Sequence, residues 1–440
     1  MASQVSGRRE ARASKDGAVR NRAVVVGGAR TPFVRAFEQF MTRDAIALGV
    51  AAVRAALDRG HVPWSEVDGI VWGGVILPSG SPNVGREIGL DLGLPAEVEA
   101  MTVTRACASG LQAVTLAAAA IERGEAELMI AGGGDSTSNA RVELPATLVH
   151  KLAPVAMSRK SGALDYFRAL GRLSPRRDLM PTRPQIAERS TGQVMGEAAE
   201  EMARRNGIAR EAQDELAVRS HLRAAAAHAS GRFADEVAPL DDVFTDTIVR
   251  GDATVERLAK LRPVFARDGS VTAGNSSALT DGAACVIVAS ERKARELGLT
   301  ALASFSSWAY VGVDPRDQLL MGPAIAIPQA LDRAGVTLAE CDLVDLHEAF
   351  AAQVLAILKM LGSDAFAKER LGRDRAVGEV DPARLNVHGG SVALGHPFAA
   401  TGARMVLTLA NELHRTGAQR ALLGICAAGG LGAAAVLERA

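Results

Sequence analysis

A chain of 440 residues with fifty Lys plus Arg against fifty Asp plus Glu has no net formal charge, so no global field draws it to nucleic acid or membrane. Its 48% hydrophobic residues, 4% aromatics and 44 glycines describe a compact Ala/Val/Leu/Gly interior, exclude disorder and coiled coil, and at this length fit two or three domains of roughly 100 to 200 residues. The four cysteines, Cys107, Cys285, Cys341 and Cys426, form no CxxC pair and have no histidine at zinc spacing, which suits free thiols in a reducing compartment; no metal is expected.

Residues 1–22 are polar and Arg-rich without the apolar stretch of a secretion signal, and read as a disordered tail in a cytoplasmic protein; the alternative, a mitochondrial presequence, is weakened by Glu10 and Asp16. No run of about 18 apolar residues is present to span a bilayer. Order begins at Ala23–Val26, a short apolar strand ended by glycines. Asp44–Leu57 has helical spacing, VDGIVWGGV reads as a strand, CASGLQAVTLAAAAIERG as a helix and AELMIAGGGDS as a strand entering a glycine turn. Such alternation predicts α/β layers around a largely parallel sheet.

Residues 139–261 read as an inserted loop domain of polar helices, with Gly207 and Gly231 as helix stops. The insert holds a basic stretch, Arg159, Lys160, Arg168, Arg172, Arg176, Arg177 and Arg183, with Leu164, Phe167, Leu170 and Leu173 on one helical face; a solvated loop or a docking surface both fit. The first half is then 23–138 with 262–297. The second half, 298–440, repeats it in outline: strand, turn and helix in CDLVDLHEAFAAQVLAIL, turn and helix in GGSVALGHPFAATGAR, and two strands around CAAGGLGAA.

Four side chains carry chemistry. Cys107 sits where a strand gives way to a helix, whose unpaired N–H groups favour thiolate and should lower its pKa; the plain alternative is a small core thiol. His396, on a glycine-rich loop with Pro397 at a first helical position, has the pKa to take a thiol proton or donate to an oxyanion, or is merely structural. Cys426 begins a glycine turn whose backbone N–H groups can bind an oxyanion, and is an acid-base thiol, a disulfide partner or an idle core residue. His347, with Glu348, starts a helix and can polarise a carbonyl; Ala351 at the next helical turn rules out a zinc HExxH motif.

CASGLQA, HEAFAAQ, GGSVALGHPFAATGAR and CAAGGLGAA stand in the order and spacing found in thiolases, and the likeness runs from Ala23 to Glu438. His347 in place of the usual Asn, CAAGG in place of CxGGG, and DLMPTRPQIAERSTG resemble one branch, the thiolase (β) subunits of the bacterial fatty-acid oxidation complex and the mitochondrial trifunctional protein. The resemblance implies the thiolase fold, two βαβαβαββ halves in αβαβα layers with an inserted loop domain, and cleavage of 3-ketoacyl-CoA by CoA in β-oxidation. Alternatives are a biosynthetic acetyl-CoA acetyltransferase, a ketoacyl synthase and a non-catalytic lipid carrier. Resemblance makes Cys107 the acylated nucleophile, His396 its base, Cys426 the acid-base group at the acetyl carbon, and His347 an oxyanion donor. It gives the backbone of Cys107 and Ala428 a second oxyanion hole, and assigns Ser277, Met195, Ala349, Phe350 and Arg250 to CoA, with core packing the alternative for Met195 and Phe350. CoA is then a substrate and no cofactor is implied. A homodimer, a hydratase/dehydrogenase α subunit and at most peripheral membrane contact are the implied partners.

Overall fold

A computed structural model describes residues 21–141, 144–180 and 187–440; residues 1–20 of the expected tail and Arg183 of the basic stretch lie outside the described residues. The first half runs β1 (Ala23–Arg30), β2 (Val34–Arg35), α1 (Ala45–Arg59), β3 (Gly69–Gly73), α2 (Val84–Leu92), β4 (Glu99–Val103), α3 (Ser109–Glu122) and β5 (Leu128–Ser136). The connection to β6 (Thr280–Ser290) carries α4 (Ala146–Ala156), α5 (Ala163–Gly171), α6 (Met195–Asn206), α7 (Arg210–Ala229) and α8 (Val255–Ala259). After α9 (Glu291–Glu296) come β7 (Ala303–Gly312), α10 (Gly322–Ala334), β8 (Leu343–Leu346), α11 (Ala351–Leu361), α12 (Asp364–Phe366), α13 (Ser391–Leu394), α14 (Ala400–Thr416), β9 (Arg420–Ala427) and β10 (Leu431–Arg439).

Local chemistry sets many of these boundaries. Asp44 caps α1 by accepting from the Ala47 amide at 2.8 Å. Gly207 ends α6 with φ 59°, and Gly231, φ 71°, follows α7, as the sequence indicates. β5 and β6 are buried along their whole length, which is why neither alternates polar with apolar.

The strand order is β4-β3-β5-β6-β1-β7-β10-β9-β8, with β2 added beside β6; among the described strands β3–β4, β3–β5 and β8–β9 pair parallel and the rest antiparallel, so the sheet is mixed rather than largely parallel as the alternation predicts, because the last strand of each half returns antiparallel between its neighbours. Read outward from the centre, this order is the same in both directions. β1 and β7 are first strands of equivalent halves, β6 and β10 their last strands, and an isolated bridge from Val344 to Leu385 stands where β4 stands in the first half. The sheets of the two halves are therefore hydrogen-bonded edge to edge, through the antiparallel pairs Val24–Ser304 and Val25–Ala303.

Three apolar cores separate the layers. One lies between the first half-sheet and α1 and α2, another between the second half-sheet and α10 and α11. The central core holds α3 and α14, with side chains of β1, β5 and β6 from one half and β9 and β10 from the other. These two helices cross with almost no space between them. A Cβ on Gly110 would lie 2.2 Å from the Ala399 carbonyl oxygen, and one on Gly402 would lie 2.4 Å from the Leu111 amide nitrogen, so both positions require glycine.

The long connection is fastened to β1 by Arg30, fully buried, which pairs with Asp246 at 2.6 and 2.9 Å and stands 3.7 Å from Glu236. Among the described residues no helix is long and apolar enough to cross a membrane.

The crossing gives the first test. Gly110→Ala should lower stability by about 1–3 kcal/mol through overpacking, read as a fall in thermal midpoint, while Gly80→Ala, where a Cβ meets open space, should leave the midpoint near wild type. Equal midpoints for the two variants would contradict the crossing.

Candidate active site

Cys107 lies in the turn between β4 and α3. Ala106, just before it, has φ 45°, a left-handed conformation uncommon for a residue with a Cβ. Ser109 holds the turn closed: its Oγ accepts from the Arg105 amide at 2.7 Å and donates to the Ala106 carbonyl at 2.6 Å. The turn lifts Cys107 off the helix, which begins at Ser109, and leaves it part-exposed while Ala108 and Ser109 after it are buried.

His396 comes from the opposite half. Its loop is tied to the start of β6, the backbone N–H donating to Thr280 Oγ1 at 2.8 Å. The helix beyond begins at Ala400 rather than at Pro397 as the sequence suggests, because Phe398, φ 32°, interrupts it. His396 Nε2 stands 3.1 Å from Cys107 Sγ, and Nδ1 stands 2.6 Å from Thr401 Oγ1. With Thr401 accepting from Nδ1–H, the Nε2 lone pair faces the thiol.

His347 packs its ring against His396, centroids 4.2 Å apart, with Nδ1 3.0 Å from Ser391 Oγ. Its Nε2 is buried without a hydrogen-bond partner among the described residues. His347 and Glu348 precede α11, whose first residue is Ala351, so they belong to the β8–α11 loop rather than to a helix start. Cys426 lies within β9, one residue before the strand ends, and not on the glycine turn that follows. Its thiol is near enough to Cys107 for charge there to raise its pKa.

Burial dominates the electrostatics. It pushes the Cys107 thiol up to about 12, against the opposing pull of the Ala428 and Cys107 backbone amides, which face the sulphur. The sequence expectation of a lowered thiol pKa is thus overturned: desolvation of the thiolate outweighs the helix terminus. Burial and then the Arg404 charge bring His396 down to about 3; burial, His396 and Arg404 bring His347 well below its ordinary value. Burial raises Cys426 well above the thiol range. At neutral pH the centre is a set of uncharged donors and acceptors.

Side chains without motif character hold this set in place. Asp135, buried at the end of β5 and pushed by burial to about 7, accepts from the amides of Val75 (2.9 Å), Ile76 (2.6 Å) and Ala399 (2.9 Å), fixing the backbone three residues after His396. Glu348 accepts from Ser220 Oγ (2.7 Å), Asn386 Nδ2 (2.6 Å) and the Val392 amide (3.2 Å), and leaves no room for a Cβ at Gly390. Arg404 pairs with Asp345 at 2.9 Å, and its other terminal nitrogen stands 3.5 Å from the Ser391 Oγ that contacts His347. Sequence reading missed Thr401, Ser391 and Asp135; Thr401, five residues after His396 in one motif, was the signal available for the first.

Of the positions assigned to CoA, the Ser277 amide donates to the Ala349 carbonyl at 2.9 Å, and Ala349, Phe350 and Met195 share one apolar cluster, with Phe265 edge-on to Phe350 at 6.0 Å. Arg250 is exposed, and its backbone amide donates to His221 Nδ1 at 3.3 Å.

Residues 23–292 match the family model for the N-terminal domain of thiolase, and residues 299–439 that for the C-terminal domain. The chain belongs to the thiolase family. As a thiolase it is an acyltransferase. It is 47% identical over 426 residues to 3-ketoacyl-CoA thiolases of Yersinia enterocolitica and Citrobacter koseri, covering 95% of this chain and 97% of each relative. Solved structures of human mitochondrial 3-ketoacyl-CoA thiolase and Bacillus anthracis acetyl-CoA acetyltransferase each superpose with a TM-score of 0.79 at 32% identity over 96% of this chain, and over 100% and 99% of theirs.

The pKa directions in this thiolase give a pH test. A raised thiol pKa shifts the thiolate limb upward, so alkylation of Cys107 by iodoacetamide, followed by peptide mass spectrometry, should keep rising with pH past 9.0, the ordinary thiol value. A neutral, depressed His396 adds no step at its ordinary 6.5. A plateau below pH 9.0 or an inflection near 6.5 would refute the assignment of a buried, uncharged pair.

Proposed function

We propose that this thiolase cleaves 3-ketoacyl-CoA with CoA, in fatty-acid β-oxidation, through an acyl-enzyme on Cys107. The observation that carries the reading is the 3.1 Å approach of His396 Nε2 to Cys107 Sγ, with Cys426 beside them. His396 takes the Sγ proton as sulphur attacks the 3-keto carbon. The bond between C2 and C3 breaks, acetyl-CoA leaves as its enolate, and the Cys426 S–H protonates the methylene carbon. CoA then gives its thiol proton to the Cys426 thiolate and attacks the acyl thioester, the Cys107 thiolate leaves, and His396 returns its proton to Sγ.

The backbone amides of Cys107 and Ala428 stabilise the oxyanion on the acyl carbon, and His347 Nε2–H the enolate oxygen. Ser391 makes the second role possible, since a hydroxyl can donate to Nδ1 and leave the proton on Nε2. Each such donor contributes on the order of 3 kcal/mol to lowering the barrier. Ser277, Met195, Ala349 and Phe350 line the pantetheine path and Arg250 serves the nucleotide end; the shared apolar cluster and the exposed guanidinium support this.

The proposal extends to location and partners. Four free cysteines suit the cytoplasm. Among the described residues no strand pairs with the outer edge of β4, which carries an exposed Met101 four residues before Ser109's partner Arg105; this supports pairing with a second copy near the active site. On α5, Leu164, Phe167 and Leu170 are 63%, 75% and 51% exposed at helical spacing, beside Arg168 and Arg172, a face that supports contact with a hydratase/dehydrogenase subunit.

Three measurements test the reading. Cys107→Ala should abolish thiolysis and the acyl adduct seen by mass spectrometry; an adduct on Cys285 or Cys341 instead would remove its basis. Cys426→Ala should keep acylation of Cys107 from a simple acyl-CoA but stop deuterium exchange into the acetyl-CoA methyl group. His347→Ala should lower kcat roughly 100- to 1,000-fold, with a panel of 3-ketoacyl-CoA chain lengths separating degradative from acetoacetyl-specific activity.

A further inference from the structure

Cys107 Sγ, a ring nitrogen of His347 and a ring nitrogen of His396 lie within 4.8 Å of one another, although the three residues are far apart in sequence. Each imidazole is held from behind by a hydroxyl on Nδ1, Ser391 for His347 and Thr401 for His396, so both rings offer Nε2 to the same space. Outer-shell hydrogen bonds of this kind orient metal-ligating histidines. The His347 Nε2 is fully buried and has no hydrogen-bond partner among the described residues, an atom placed to receive something.

We propose that Cys107 Sγ, His347 Nε2 and His396 Nε2 form a reversible, inhibitory site for a thiophilic divalent cation of the Zn²⁺ class. One thiolate and two imidazoles are the donors that select such an ion, whereas Mg²⁺ and Ca²⁺ require oxygen ligands that this centre lacks. Bonds of about 2.3 Å to sulphur and 2.0–2.1 Å to nitrogen place tetrahedral ligands about 3.3–3.7 Å apart. The present spacing, 3.1 Å from Sγ to His396 Nε2 within a 4.8 Å cluster, needs only small side-chain movements to meet that. The fourth position is left to water or a substrate thiol, which can reach the part-exposed Cys107.

As the metal–sulphur bond forms, the Sγ proton leaves to solvent, and His347 binds in its other neutral tautomer, the proton moving from Nε2 to Nδ1 and the Ser391 hydroxyl turning to accept from it; nothing is oxidised or reduced. A ligated Cys107 has its negative charge drawn to the cation and His396 is occupied beside it, so acylation stops until the ion is removed. This inhibitory consequence rests on the proposed thiolysis, but the binding itself does not.

Co²⁺ serves as the spectroscopic probe and Zn²⁺ as its competitor, on the intact chain. One Co²⁺ per chain should bind with a near-ultraviolet thiolate-to-cobalt band and tetrahedral visible bands, and Zn²⁺ should displace it. The band should be absent in Cys107→Ala, and affinity should fall roughly 10-fold in Ser391→Ala and further in His347→Ala. In the unmutated enzyme, one equivalent of Zn²⁺ should protect Cys107 from iodoacetamide and suppress thiolysis, and EDTA should reverse both. Absence of the band, its persistence in Cys107→Ala, unchanged affinity in His347→Ala, or unprotected Cys107 each overturns the site. Metal-free enzyme that fails to cleave 3-ketoacyl-CoA counts against the proposed activity instead, and leaves the cobalt result standing.

Discussion

The active centre depends on how closely α3 and α14 cross. Cys107 precedes one helix and His396 the other, so the separation of the two backbones sets the separation of sulphur and imidazole. Glycine at 110 and 402 permits a crossing that any Cβ would push apart. Because α3 and α14 occupy equivalent places in the two halves, the pseudo-symmetry of the fold is also the device that faces a nucleophile with its base. Asp135 then fixes the start of α14 against the first half through Ala399, and Glu348 fixes the preceding loop against α7.

Close packing has an electrostatic result. Sulphur and imidazoles are taken out of water together, which disfavours every charged form, and Arg404 adds a positive charge that further disfavours imidazolium. The resting centre therefore stores its proton on Cys107, and reactivity arises only when an adjacent acceptor takes it. Oriented backbone amides, which need no reorganisation, are positioned for the charge that then develops.

Much of this was legible in the sequence, and for identifiable reasons. The four motif strings carry both residue type and spacing, so Cys107, His347, His396 and Cys426 could be singled out, and AELMIAGGGDS could be read as the strand that became β5. The direction of the Cys107 shift was not legible, since burial is a property of the assembled layers while a helix start is visible locally. Nor were the left-handed turns at Ala106 and Phe398, since neither residue type has a preference for that conformation. Asp135 and Ser391 look like any acid or serine until the partners arrive from distant segments.

The pairing of β1 with β7 bears on how the chain comes to be made. Half of the structure cannot complete its sheet early, because β6 follows β5 by 143 intervening residues, Thr137 to Leu279. Even then β1 keeps an uncovered edge until Ala303 and Ser304 arrive to meet Val25 and Val24. During synthesis a nearly finished half therefore waits with an open ladder beside the central helix α3, whose partner α14 is made later still. An open edge invites pairing with another nascent chain. The halves are thus separate in the pattern of their elements but not in their assembly, and translation pauses within residues 137–302 would lengthen the period in which two unfinished polypeptides on one messenger can join wrongly.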